Sequence, residues 1–104
     1  MVKFVESRAE LEQIIAANAK IVIDFTAAWC GPCKAIAPEF ERLAKANPHT
    51  LFLKVDVDAA SEIAAKFKIS AMPTFIGVKG GGEIARIQGA DRAALAELVQ
   101  LVGA

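Results

Sequence analysis

The chain is poor in cysteine, in histidine and in net charge, and each shortage excludes a class of protein. Two cysteines in 104 residues are too few for a disulfide-built scaffold, and a single histidine means that a zinc site within the chain would need carboxylate ligands. The twelve basic and twelve acidic side chains cancel, which argues against nucleic acid or an anionic membrane as the main partner. No stretch approaches the roughly 20 apolar residues that a membrane span requires.

The first residues of the chain do not have the pattern of a secretory signal peptide. Met1–Glu6 lacks the apolar segment of a signal peptide. Together with the low cysteine count, this predicts an intracellular protein, and we expect a cytoplasmic location. A length of 104 residues suits a single hydrophobic core, so we predict one domain over residues 1–104.

Both cysteines lie in one short run, Trp29-Cys30-Gly31-Pro32-Cys33-Lys34. The run follows an apolar segment typical of a strand, Ile21–Phe25, and leads into a segment with helical periodicity. Two thiols at this spacing on a first helical turn can close a disulfide, and the helix start stabilises the thiolate that attacks in thiol–disulfide exchange. The alternatives are a structural disulfide, which would remove little unfolded-state entropy from so small a loop, and half of a zinc site.

The remaining pattern predicts five strands and four helices in the order β-α-β-α-β-α-β-β-α. Strands are predicted over Val2–Val5, Ile21–Thr26, Leu51–Val57, Pro73–Val78 and Ile84–Gln88. Ser7, Asp58 and Asp91 are predicted to cap the first, third and fourth helices, with Glu10 completing a capping box at Ser7. The second helix follows the cysteines. Pro38 is expected to kink that helix. The early alternation implies a parallel core of strands, to which a hairpin at Gly80–Gly82 adds an antiparallel edge.

The sequence resembles the thioredoxin family over essentially its whole length. The residues that carry the resemblance, in the order and at closely similar spacing to the family, are Asp24-Phe25, Trp29–Lys34, Pro38, Lys54-Val55-Asp56, Met72–Phe75 and Gly89-Ala90. Residues similar to the cytosolic eukaryotic branch are Thr26, Val55–Asp58 and Met72. The resemblance implies an α/β thioredoxin fold, a mixed five-stranded sheet flanked by four helices. Two departures are Gly77, where a larger apolar residue is usual, and the turn at Gly80–Gly82, which is one residue longer than usual.

The resemblance implies a protein-disulfide reductase that works through a reversible Cys30–Cys33 disulfide. In the family the first cysteine is exposed and acts as the nucleophile, so Cys30 takes that role and Cys33 becomes the shielded, resolving thiol. Gly31 and Pro32 set the turn between them, and proline suits a first helical turn because its missing N–H is not needed there. The Gly-Pro pair resembles reducing thioredoxins, whereas disulfide isomerases commonly carry Gly-His at this place.

Asp24 is an unusual residue for an apolar strand. A carboxylate there is costly if it is buried and ionised, and burial would raise its pKa toward neutrality, which suits a proton acceptor. The resemblance places Asp24 beneath Cys33 in that role and places Lys54 close enough to tune it. The alternatives are an edge position with Asp24 in water and a solvated Lys54.

The resemblance also implies a shallow apolar groove that binds substrate. Its residues are Trp29, Val57, Met72, Pro73, Gly89 and Ala90. Pro73 is cis in the family and packs beside the cysteines, and the backbone of Met72 would pair with an extended target segment. A residue without a side chain, Gly89, would let a target backbone approach closely. For Trp29 the alternative is an ordinary core tryptophan.

The resemblance implies a monomer with no bound cofactor and no metal. NADPH is used indirectly, through a flavoprotein thioredoxin reductase that re-reduces the protein. Expected target proteins are peroxiredoxins, methionine sulfoxide reductases and ribonucleotide reductase. Two rival functions are a non-catalytic binding module that uses the same groove and a metal or iron–sulfur carrier. His49, beside Pro48 in a loop, is expected to be solvated.

Overall fold

A computed structural model describes residues 2–104 as five strands and four helices in the predicted order. The strands are β1 (Val2–Phe4), β2 (Lys20–Thr26), β3 (Leu51–Asp56), β4 (Thr74–Lys79) and β5 (Gly82–Gln88). The helices are α1 (Arg8–Ala17), α2 (Gly31–Ala46), α3 (Ser61–Lys66) and α4 (Arg92–Gly103). Strand ends differ from the prediction by up to two residues: Val5, Val57 and Pro73 lie just outside β1, β3 and β4, and β5 begins before Ile84.

The five strands form one mixed sheet in the order β1-β3-β2-β4-β5, which confirms the predicted architecture. β1, β3 and β2 are parallel, whereas β4 runs antiparallel to β2 and β5 antiparallel to β4. Helices α1 and α3 contribute to the core on one face of the sheet, and α2 and α4 to the core on the other. β2 is therefore the central strand and is covered on both faces.

Three phenylalanines join α2 to the sheet. The ring centroid of Phe40 on α2 lies 5.2 Å from that of Phe52 on β3 and 5.7 Å from that of Phe75 on β4. All three side chains are fully buried. This contact fixes α2, and with it the cysteines at its first turn, against the centre of the sheet. α2 continues through Pro38, which is exposed, and the kink there stays a prediction.

Side chains cap α1 and α4 as predicted. The Ser7 hydroxyl accepts a hydrogen bond from the Glu10 N–H at 3.1 Å, and Asp91 accepts one from the Ala94 N–H at 3.0 Å. The second half of the capping box differs, because the Glu10 carboxylate accepts from the N–H of Glu6 rather than from that of Ser7.

The prediction that Asp58 caps α3 is wrong. The residue before α3 is Ala60, and no side chain caps that helix. A four-residue turn separates β3 from α3, so Asp58 lies too far before the first helical turn to reach its N–H groups. The Asp56 carboxylate binds this turn instead, accepting from the N–H groups of Asp58 and Ala59.

The extra residue expected at the hairpin turn lies in β5. Lys79 pairs directly with Gly82, so the loop is two residues long, and both Gly80 (φ +61°) and Gly81 (φ +88°) have the positive φ of a type I′ turn. Farther along the hairpin the pairing shifts between Gly77 and Val78, which leaves Ile84 as a bulge. A bulge absorbs one additional residue without lengthening the loop.

The C-terminal end of α4 is bound to the end of the sheet where β2 begins. Lys20 Nζ donates to the Gly103 carbonyl at 2.9 Å, and Lys79 Nζ donates to the Ala104 carbonyl at 2.6 Å. Basic groups at a helix C-terminus satisfy its free carbonyls and complement its dipole.

Gly77 stands where the family usually has a larger apolar residue, and the structure gives the reason that glycine fits here. The residue is buried under α4, and a Cβ built on it would lie 2.6 Å from Val102 Cγ2 and 3.4 Å from Leu98 Cδ2. The missing side chain is what allows α4 to pack directly on the backbone of β4.

We expect Gly77→Ala to destabilise the protein by about 1–3 kcal/mol, because overpacking a dense core outweighs the better strand propensity of alanine. Urea unfolding monitored by circular dichroism measures the change. Gly82→Ala is the matched control, since a Cβ at Gly82 meets nothing within 4 Å. Equal stability of the two variants would contradict the packing argument.

Candidate active site

The two cysteines form a disulfide at the start of α2. Their Cα atoms are 5.3 Å apart, and Cys30 is the N-cap residue of the helix. Both residues are buried, with exposed fractions of 4% for Cys30 and 3% for Cys33. The resemblance implied an exposed first cysteine and a shielded second one, and in this oxidised form the exposed fractions do not separate them.

Backbone hydrogen bonding distinguishes the two sulfurs. Cys30 Sγ accepts a hydrogen bond from the Cys33 N–H at 3.2 Å, one of the free donors at the helix start. The first turn of α2 contains no acidic residue, and Pro32 occupies a position where a missing N–H costs nothing. The Cys30 sulfur therefore lies where the helix dipole and a backbone donor both stabilise negative charge.

The disulfide lies in a small apolar patch. Ala27 completes a buried cluster with the two cysteines, and the half-buried side chains of Val57 and Met72 pack against it. Val57, just after β3, and Met72, just before β4, were both expected in the groove. Both pack against the cluster that contains the cysteines. Because Val57 and Met72 are only partly buried, the patch presents apolar surface that another protein can contact.

Trp29 is exposed at 67%, so the alternative of a core tryptophan is wrong. Its Nε1–H donates to the Asp58 carboxylate at 2.8 Å, which holds the indole beside the cysteines. The sequence around Asp58 predicted only a helix cap and not this contact. The order of the strands could have indicated it, because Asp58 follows β3 and Trp29 follows β2. The carboxyl ends of adjacent parallel strands lie at the same edge of a sheet.

The remaining groove residues form a second, connected group. The Met72–Pro73 peptide bond is cis, as the resemblance implied, and Pro73 is buried. The N–H of Gly89 donates to the Pro73 carbonyl at 2.8 Å, and Gly89 has φ +98°, a conformation that glycine adopts without strain. Ala90 follows and is exposed.

Asp24 is on the central strand and is 1% exposed, so the solvated edge position is wrong. Burial raises the pKa of this carboxyl from 3.8 to about 7, and the positive charge of Lys54 opposes that rise. Asp24 Oδ1 has no hydrogen-bond partner among residues 2–104. A buried acid with a pKa near neutrality can both take up and release a proton at physiological pH.

Lys54 lies in register with Asp24 on the neighbouring strand β3 and is half-buried. Its Nζ lies 5.8 Å from the centroid of the Phe4 ring. A cavity of about 210 Å³ is lined by Lys54, Phe4 and Cys33 together with residues of the β2–α2 segment. Lys54 and the second cysteine therefore share one opening beside the active site.

The part of the chain that the structure describes has neither a metal-binding cluster nor a membrane-spanning helix. Within residues 2–104, no three His, Cys, Asp or Glu side chains are grouped closely enough to hold a metal ion, and His49 is exposed. No helix in that range is long and apolar enough to cross a membrane.

Comparison with known proteins agrees with this geometry. The family model described as Thioredoxin matches residues 2–102. Thioredoxin 1 of Plasmodium falciparum is 45% identical over 100 residues, which is 96% of each chain. The X-ray structure of Fasciola hepatica thioredoxin superposes with a TM-score of 0.93 at 44% identity, covering 96% of this chain and 98% of that one.

A third similar chain comes from a structural study of thiol resolution in the yeast mitochondrial 1-Cys peroxiredoxin through the glutathione and thioredoxin systems. That chain superposes with a TM-score of 0.92 at 38% identity. The match covers 95% of this chain and 93% of the similar chain. All three relatives are eukaryotic, in agreement with the branch that Thr26 and Met72 indicate.

Proposed function

The chain belongs to the thioredoxin family and is a dithiol–disulfide oxidoreductase, and from that premise we propose that it works as a reductant of disulfides in other proteins. The observation that supports this most strongly is the Cys30–Cys33 disulfide at a helix N-terminus, beside a strand that carries the buried acid Asp24. The Gly-Pro pair between the cysteines favours reduction over oxidation, because it resembles the reducing members of the family.

In the first step the reduced protein attacks its target. The Cys30 thiolate attacks one sulfur of the target disulfide, so that a Cys30–target S–S bond forms, the target S–S bond breaks and one target sulfur leaves as thiolate. The helix start and the Cys33 N–H stabilise the attacking thiolate.

In the second step Cys33 completes the transfer. Asp24 accepts the Cys33 proton, the resulting thiolate attacks Cys30 Sγ, and the second target sulfur leaves as thiolate. Two electrons have then passed to the target, which is reduced, and the Cys30–Cys33 disulfide has formed. Lys54 acts indirectly, because its charge opposes the rise in the Asp24 pKa.

The groove residues bind the target protein. Trp29 presents an exposed indole, and Val57 and Met72 border the disulfide with apolar surface. Extended target segments would pair with the backbone at Met72, over the space that Gly89 leaves open, with Pro73 and Ala90 completing the surface. Targets of this chemistry include peroxiredoxins, and one solved relative was studied with such an enzyme. Methionine sulfoxide reductases and ribonucleotide reductase are further targets of the family.

We propose that the protein acts as a cytoplasmic monomer without a bound cofactor. Each turnover leaves the cysteine pair oxidised, so two electrons must return before the next. A flavoprotein thioredoxin reductase would supply them from NADPH.

Insulin reduction tests the function. Insulin is incubated with the protein and dithiothreitol, and then with NADPH and a thioredoxin reductase, while turbidity and NADPH consumption are recorded. We expect catalysis in both assays. A double variant, Cys30→Ser/Cys33→Ser, is the control: residual binding of targets without reduction would instead support the non-catalytic binding module, and iron or zinc in the purified protein would support the carrier.

The hydrogen bond between Trp29 and Asp58 gives a prediction about the groove. Asp58→Ala removes the acceptor, and we expect KM for insulin to rise about three- to tenfold, with a smaller change in kcat, because one charge-assisted hydrogen bond holds the indole. In a Trp29→Phe background the same substitution should add nothing. An equal effect of Asp58→Ala in both backgrounds would assign Asp58 a role independent of the indole.

A further inference from the structure

One row of side chains crosses three neighbouring parallel strands toward the active site. Phe4 on β1 is in register with Lys54 on β3, and Lys54 is in register with Asp24 on β2. Side chains that are in register on adjacent strands point to the same face, and the strands are about 4.8 Å apart. Here that face is the one covered by α2, since Val22, two residues before Asp24, packs with α2.

Lys54 stands between an aromatic ring and an acid. Its Nζ lies 5.8 Å from the Phe4 ring centroid, within the range of a cation–π contact. It makes no ion pair within residues 2–104, and Asp24 Oδ1 has no partner in that range. The ammonium therefore lies within cation–π range of the Phe4 ring and forms no ion pair with the Asp24 carboxylate.

We propose that Phe4 is a positioning residue, which holds the Lys54 ammonium on its ring and so keeps that ammonium from pairing with the Asp24 carboxylate. The inference rests on the proposed function of Asp24 as proton acceptor. An ammonium paired with Asp24 would stabilise its ionised form and make it a weaker base, whereas an ammonium held on the ring leaves it able to take the Cys33 proton.

The other groups around this site do not compete for the same role. Lys34 from α2 and Asp56 from β3 are the remaining ionisable groups that line the cavity, and Cys33 is held in the disulfide. β4 places the uncharged Phe75 opposite Asp24. Among the charged groups, Lys54 is the one that affects the pKa of Asp24. Burial is the larger cause of the raised pKa of Asp24, and the position of the Lys54 ammonium sets how strongly its charge opposes that rise.

The test measures the pKa of the Asp24 carboxyl by carbon-13 NMR titration of the oxidised protein. Phe4→Leu keeps apolar bulk over the cavity but removes the aromatic face, and Phe4→Tyr keeps the face. We expect Phe4→Leu to lower the pKa of Asp24 by about 0.5 pH unit, the equivalent of one cation–π contact, and Phe4→Tyr to leave it unchanged. In a Lys54→Met background, Phe4→Leu should have no effect.

Two results would overturn the proposal: no change in Phe4→Leu, or the same fall with and without Lys54, which would mean that the ring only excludes water. Phe4 is 54% exposed on a short edge strand, so both variants should fold. The titration does not depend on catalysis. A protein that shows the shift but fails to reduce insulin would refute the proposed function and leave the Phe4–Lys54 contact standing.

Discussion

Cys33→Ser should stop turnover and leave the target covalently attached to Cys30. The variant keeps the nucleophile at the start of α2 and the N–H that stabilises its thiolate, but no second thiol remains to release the mixed disulfide. Insulin reduction is expected to fall by at least about 10³-fold, the scale of losing a covalent-catalysis group. Intact-mass spectrometry after mixing with a disulfide-bonded protein should show a one-to-one adduct.

Cys30→Ser is the matched control, because it removes one sulfur from the same helical turn. It should form no comparable adduct. Adducts that form through Cys33 in Cys30→Ser, at the rate seen for Cys30 in Cys33→Ser, would reverse the assignment of the two roles. That comparison is decisive because the exposed fractions of the two cysteines, 4% and 3%, do not assign them.

Asp24→Asn should make the fold more stable at pH 8 and catalysis slower. Burial raises the pKa of Asp24 from 3.8 to about 7, and each pH unit between the folded and unfolded values corresponds to about 1.4 kcal/mol. The full difference is about 4 kcal/mol, from which the cost of burying an unpaired amide is subtracted. We therefore expect a gain of about 1–3 kcal/mol in the free energy of unfolding at pH 8.

The sign of the pH dependence follows from the raised pKa. Well below pH 3.8 the carboxyl is protonated in both states, so its ionisation does not affect stability. As the pH rises toward 7, the unfolded chain loses the proton first, so the native protein loses stability until Asp24 also ionises near pH 7. Asp24→Asn removes this slope. Urea unfolding of both oxidised proteins should show no gain from Asp24→Asn near pH 3 and the full net gain at pH 8.

The same variant should slow release of the mixed disulfide by about 10²-fold at pH 7, the lower end of what a positioned base contributes. Stopped-flow mixing under single-turnover conditions measures this step directly. Equal stability at pH 8 together with an unchanged release rate would exclude a buried proton acceptor at this position.

The sequence was sufficient to predict the elements and the reactive pair because both depend on local patterns. The segment Ile21–Phe25 is apolar apart from Asp24 itself, a pattern typical of a strand buried on both faces, and β2 is buried in that way. The cap at Ser7 and the cysteines at the first turn of α2 needed only spacing within a few residues.

The features that the sequence analysis missed depend on which strands and helices meet. Asp58 binds Trp29 across 29 positions of sequence, and a helix-cap pattern cannot reveal such a partner. Gly77 is a weak strand residue by propensity, yet α4 packs so closely on it that a side chain has no room. The row from Phe4 to Asp24 exists only because β3 lies between β1 and β2, although it is the third strand along the chain.

The direction of β2 and β4 gives the molecule two functionally different ends. β2 ends at Thr26, just before the cysteines, whereas the turn at Gly80–Gly81 and the last carbonyl of the chain, held by Lys79, lie at the opposite end. A bead, an electrode or a fusion partner coupled through Ala104 would therefore leave the thiols facing the solution. The protein is therefore suited to immobilisation in a fixed orientation, in which the end with the cysteines is accessible to target proteins in solution.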